Sequence, residues 1–230
     1  MAFESAGKDM PYLGRSPYAT CRPEVHVMKA DMLTTILRRL FRANGPSSHG
    51  NGSDSVAERV YGSIVAQARQ PAFYAQCGVP DTPTGRFEMI VAHAALVFRR
   101  FNACGEQEAG QAVFDLFFAD MDRSLRELGV GDLSVPKQIK KMGQAFYGRA
   151  GAYARALDGG NEAALREAVA ANLLATSPDR DAVELNAARI AAYLASVQDV
   201  LTATDPARIL AGEIDWPGAP DGTSREEPDA

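Results

Sequence analysis

RFEMIVAHAALVFRRFNA, residues 86–103, is the stretch whose reading decides the fold. From Met89 to Phe98 it carries no charge, and its apolar side chains fall on every side of a helix. Eighteen residues are too long for an ordinary strand, and strands of about 4–8 residues are the rule. The uncharged run is also well short of the roughly 20 residues that span a bilayer. A helix that is apolar all round belongs inside a protein, covered on several sides. The rest of the chain is read as its cover.

The next segment, EQEAGQAVFDLFFADMDRSLREL (106–128), repeats Val113, Leu116, Phe117, Met121, Leu125 and Leu128 at helical spacing. It predicts a long amphipathic helix ended by Gly129 in a left-handed C-terminal cap. Phe117 and Leu125 are expected in the core, where truncation to alanine costs about 2–5 kcal/mol. Upstream, SDSVAERVYGSIVAQARQ (53–70) has a capping residue and then Val56, Val60, Ile64, Val65 and Ala68. It predicts a helix ending before Pro71. PAFYAQCGVPDTPTG (71–85) reads as one helical turn and a loop, punctuated by Gly78, Pro80, Pro83 and Gly85.

Downstream, Ser134 is read as the N-cap of a helix with Pro136 in its first turn, stopping at Gly159–Gly160. NEAALREAVAANLLA and DAVELNAARIAAYLASVQDVL are two further alanine-rich helices, and Pro206 opens a short last one. No alternating strand pattern longer than four residues occurs. The class is all-α, a bundle of about six to seven helices. The sequence divides into a leader at 1–27, disordered or non-native, and an amphipathic basic helix at 28–43. A linker at 44–54, the helical domain at 55–211 and an acidic tail at 212–230, expected to be disordered, follow.

The chain has 230 residues, a net charge of −5 and 46% hydrophobic residues. That is enough to bury a core without staples. It excludes a protein whose whole surface binds nucleic acid, and no DNA is expected as partner. Charge is nevertheless polarised: residues 1–43 hold seven basic and four acidic side chains, whereas residues from 212 hold six acids and one arginine. Cys21, Cys77 and Cys104 are widely spaced, with no CxxC, which argues for a reducing compartment and against a zinc finger.

Candidate chemistry is sparse. Met89 and His93, one turn apart, could present haem ligands on one face or form a core pair. Asp120 and Asp122 point about 200° apart on a helix, so they do not readily share a cation; Asp122 suits an ion pair with Arg126. Ser134 and Lys137 match SxxK, but the serine is better placed as a cap than as a nucleophile. No GxSxG, Walker A or GxGxxG occurs, so no enzyme class is indicated and no cofactor or metal is expected. Lys137, Lys140 and Lys141 make a basic stripe that is either solvated or meets phosphate, anionic lipid or an acidic partner. Arg38, Arg39 and Arg42 end the helix of residues 28–43, whose apolar face either lies on a membrane or docks on the body. Gly143, Gly148 and Gly151 on one helix suggest close helix contact or a groove.

Longer motifs carry more information. ARQPAFY (68–74), GVPDT with GRFE (78–88), His93, DMDRSLRELGVGDLSVPK (120–137) and FYGRAGAY (146–153) together resemble the ubiquinol–cytochrome c chaperone family. The resemblance covers roughly residues 55–175, and the alanine-rich composition suggests a bacterial member. It implies a non-enzymatic assembly factor for respiratory complex III, with newly made cytochrome b or complex III assembly intermediates as partners. It also implies a cytoplasmic protein, peripheral at the inner face of the cytoplasmic membrane, with the 28–43 helix on the membrane surface. The partner contacts it suggests are Arg86, Glu88, Asp120, Asp122, Arg126, Glu127, Asp132, Lys137, Tyr147 and Arg149.

Overall fold

The computed structural model describes residues 55–220. Six helices of eleven or more residues form the body: α1 (Val56–Ala68), α3 (Pro83–Cys104), α4 (Gln107–Glu127), α5 (Val135–Asp158), α6 (Glu162–Asn172) and α7 (Val183–Ala203). Two single turns complete it, α2 (Pro71–Ala75) and α8 (Pro206–Leu210). No strand occurs among the described residues. The leader, the 28–43 helix and the 44–54 linker lie outside them, as do residues 221–230.

Local chemistry sets the boundaries. Ser55 and Glu58 form a reciprocal capping box at the start of α1. Thr82 accepts the Gly85 amide at the start of α3. At the end of α4, Gly129 takes φ 81°, and the Val130 amide reaches back to the Leu125 carbonyl. That closes the expected left-handed cap, which a residue with a Cβ adopts only under strain. Ser134 stands at the expected N-cap position of α5, but its hydroxyl makes no capping bond. Its backbone is already helical (φ −94°, ψ −25°), so it lacks the extended conformation that carries a cap side chain over the first amides.

α3 is the centre of the bundle and packs against α1, α4, α5 and α7. Every side chain from Glu88 to Phe98 is buried, including Ala92, Ala94 and Ala95, whose small size lets the neighbours approach. Behind α3 lies an aromatic core in which Phe98, Phe114, Phe117, Phe118 and Phe146 meet at centroid separations of 4.5–6.4 Å. Most of these pairs are edge-on or tilted, as the ring quadrupoles favour.

Two expectations are corrected. The tail does not begin at 212: Ile214 is buried, Trp216 donates to the Ser63 hydroxyl at 2.9 Å, and Gln67 donates to the Pro217 carbonyl at 3.0 Å. The first two acids of that segment, Glu213 and Asp215, both pair with Arg208. Acidic, proline-rich composition suggested disorder, yet two large apolar side chains and a local ion pair hold the strap as far as Pro220. Second, Leu125 is only half-buried, whereas Phe117 is fully buried. Of the glycines on α5, a Cβ at Gly148 would meet nothing within 4 Å, so no close helix contact requires that one, whereas a Cβ at Gly151 would come within 3.2 Å of the Arg155 guanidinium.

The difference between Phe117 and Leu125 is measurable by urea unfolding. Phe117→Ala is expected to cost about 3–5 kcal/mol, and Leu125→Ala under about 2 kcal/mol. Equal losses would place Leu125 in the core after all.

Candidate functional site

A groove of about 680 Å³ opens where the start of α3, the end of α4 and the middle of α5 converge. Its floor is apolar: Phe87 and Ile90 from α3, Met121 and Leu125 from α4, Met142 and Ala145 from α5, with Leu128 just beyond α4. Phe87 stacks on Phe117 at 5.9 Å, which joins the floor to the aromatic core. Leu128 is 67% exposed. The two methionines are flexible and polarizable, and such side chains adapt to varied apolar ligands. Arg69, Arg86, Glu127 and Lys141 stand among the lining as charged groups.

The upper lip is held rigid by the loop that enters α3. A Cβ on Gly85 would come within 2.0 Å of the Pro80 carbonyl oxygen, so only glycine permits that approach. Arg86 follows and pairs with Asp81 at 2.6 Å.

Beneath the lip lies a buried ion pair. Glu88 is 4% exposed and forms a two-pronged ion pair with Arg149, one contact being 2.5 Å. Burial raises the Glu88 pKa, and the Arg149 guanidinium opposes that rise. The pair ties α3 to α5 across the base of the groove.

The structure does not bring the sequence-derived residues together at one place. Arg86, Glu88 and Glu127 line the groove, and Arg149 reaches it through Glu88. Asp122, Arg126 and Asp132 form a surface chain in which Arg126 holds both carboxylates and clips the α4–α5 turn. Asp120 accepts a 2.8 Å hydrogen bond from the Tyr61 hydroxyl and joins α4 to α1. Tyr147 packs its ring on Phe114 and Phe146, and Lys137 is exposed outside the groove lining. Sequence reasoning did not single out Arg69 or Phe87. Met121, Leu125 and Leu128 were read as part of one helical stripe, with no sign that its last turn opens into a groove.

Met89 and His93 are both buried and form part of the core. The His93 Nδ1–H donates to the Met89 carbonyl at 2.8 Å, so Nε2 is left to accept from the Tyr193 hydroxyl, also at 2.8 Å. Tyr193 in turn accepts from Gln67 at 2.8 Å. Phe73, Tyr193 and Trp216 surround the imidazole at 5.5–5.7 Å. Both ring nitrogens are therefore occupied, and neither is free to ligate haem iron. Among the described residues, no group of three or more His, Cys, Asp or Glu side chains is placed to hold a metal ion. No helix there is long and apolar enough to cross a membrane.

The geometry thus defines an all-α protein with an adaptable apolar groove. This chain belongs to the ubiquinol-cytochrome C chaperone family, whose match spans residues 75–216. It is similar to the Cbp3 homologue from Brucella abortus, known from a crystal structure, with 37% identity and a TM-score of 0.63. The likeness covers 82% of this chain and 98% of that one. Comparison with curated proteins gives no match.

Two predictions test the buried polar groups. Burial pushes the His93 pKa down to about 4, against about 6.5 for an ordinary histidine. The unfolded chain then binds more protons between these values, so stability is full above pH ~6.5 and falls as pH drops toward ~4. The loss from this group is expected to reach about 3 kcal/mol and to be largely absent in His93→Gln; parallel acid profiles would refute it. Arg149→Met should cost about 3–5 kcal/mol at neutral pH, because it strands a buried carboxylate. The double variant Glu88→Gln/Arg149→Met should recover more than half of that, as read by a double-mutant cycle.

Proposed function

We propose that this chain is a non-enzymatic assembly chaperone for respiratory complex III, ubiquinol–cytochrome c reductase, and that it holds newly made cytochrome b at the membrane surface. Family membership across residues 75–216, together with the apolar groove, carries the reading. Cytochrome b is a membrane protein, so its helices expose apolar faces before they are packed. A groove floored by phenylalanine, leucine and methionine and edged by charge is suited to receive one such face. Residues 28–43, with apolar side chains on one face and Arg38, Arg39 and Arg42 at the end, would rest on anionic lipid at the inner face of the cytoplasmic membrane. The basic stripe of Lys137, Lys140 and Lys141 adds positive charge of the same sign.

The test is a reduced-minus-oxidised spectrum of membranes from a deletion strain. Cytochrome b and complex III signals should fall selectively and return when the gene is restored. Restoration with Leu128→Glu should fail although the protein accumulates, because this exposed position places a charge in the groove without disturbing the core. Normal complex III in the deletion strain would overturn the function, and full rescue by Leu128→Glu would overturn the groove as its site.

A further inference from the structure

The groove does not end at its apolar floor. Beside it, against α2, lies a second hollow of about 560 Å³, lined by Arg69, Pro71, Tyr74, Ala75, Asp81 and Arg86. Groove and hollow share Arg69 and Arg86, so these two side chains stand where an apolar compartment meets a polar one. Each compartment falls within the roughly 300–1,000 Å³ of ordinary small-molecule sites.

The polar groups of the hollow are only partly used. Arg69 is exposed and has no ion pair among the described residues. Arg86 meets Asp81 through Nε and Oδ1, and both side chains remain more than half exposed, at 54% and 56%. That single contact leaves the terminal amino groups of Arg86 and the second oxygen of Asp81 facing other partners. The Tyr74 hydroxyl already donates to the Ala68 carbonyl at 2.7 Å. The hollow therefore offers two guanidiniums and one carboxylate, set next to a floor of phenylalanine, isoleucine, leucine and methionine. A wholly apolar occupant of the floor would leave all three charges unmet.

We propose that groove and hollow together form a site for one phospholipid molecule with a zwitterionic head group. The acyl chain lies along Phe87, Ile90, Met121, Leu125 and Met142. The phosphate sits between Arg69 and the terminal amino groups of Arg86, whose planar N–H donors match phosphate oxygens. The head-group ammonium meets the second oxygen of Asp81. A fatty-acid carboxylate would satisfy the arginines but would set like charge beside Asp81, which is why the head group carries both signs. Lipid and client would compete for the same floor; that consequence rests on the proposed client groove, whereas lipid binding itself does not.

The test titrates the full chain by calorimetry with lysophosphatidylethanolamine below its micelle concentration, and the melting midpoint of each variant checks its folding. Saturation at one lipid per chain is expected. Monoacylglycerol of the same chain length, which lacks phosphate and ammonium, should bind about tenfold more weakly. Arg69→Glu should weaken the phospholipid about tenfold, because it turns an attraction into a repulsion. Asp81→Asn should shift the preference about fivefold toward lysophosphatidic acid, which has the phosphate but no ammonium. Equal affinity for monoacylglycerol, unchanged affinity in Arg69→Glu, a preference unmoved by Asp81→Asn, more than one lipid per chain, or no saturable binding would each overturn the proposal. The comparison of head groups needs no variant, so it decides the point even where a substitution disturbs the lip. Binding is read on the purified chain, apart from the deletion-strain spectrum, so failure of one reading is distinguishable from failure of the other.

Discussion

The constraint on which the structure depends is the burial of α3 from Glu88 to Phe98. A helix in that position has no solvent to receive a polar side chain, and each one it carries must find a partner inside the protein. Between Glu88 and Phe98 there are two such side chains, Glu88 and His93. Each is answered from a different element: Glu88 by Arg149 of α5, His93 by Tyr193 of α7. The apolar cover could slide or rotate by small amounts at modest cost, because dispersion contacts are numerous and individually weak. A bidentate guanidinium–carboxylate pair and a histidine bonded at both nitrogens tolerate no such drift. They fix the register of α3 against α5 and α7.

The groove follows from the same arrangement. Its base is the Glu88–Arg149 pair, its back is the phenylalanine cluster reached through Phe87, and its lip is the loop that only Gly85 allows so close to Pro80. Rigid parts therefore lie beneath and behind. The side chains that face outward are Met121, Leu125, Leu128 and Met142, long and half-buried or exposed. That division suits a holding function, in which the scaffold keeps its shape and the contact surface adapts to successive apolar faces.

Much of this was legible in the chain before any coordinates. The uncharged run from Met89 to Phe98 placed α3 at the centre, and Gly129, Pro71 and the Gly159–Gly160 pair marked helix ends that the backbone confirms. Asp122 and Arg126 were paired correctly because both lie one turn apart on the same helix. What was not legible depends on separation along the chain. Glu88 and Arg149 are 61 positions apart, and neither residue carries a local sign that the other is its partner. The family resemblance brought both into view without saying that they meet. Leu125 illustrates a different limit. Helical periodicity reports which face is apolar, but it cannot tell whether a neighbouring element covers the last turn of that face, and here α5 stands off to leave a groove.

The strap after α8 shows why composition misleads at a chain end. From Gly212 onward the residues are acidic, proline-rich and short of apolar side chains, which describes a segment unable to offset its own ordering entropy. The entropy is offset by three placements. Arg208 neutralises Glu213 and Asp215, Ile214 is buried, and Trp216 closes the aromatic shell around His93 while its indole N–H reaches Ser63. Trp216 thus serves the central helix: it covers the one imidazole that α3 must keep dry, and Gln67, which supports Tyr193, also holds the Pro217 carbonyl. The polar network that satisfies α3 is therefore the anchor of the C-terminal strap. It decides that the described chain ends beside Cys77, in the loop ahead of α3, rather than at the end of α8.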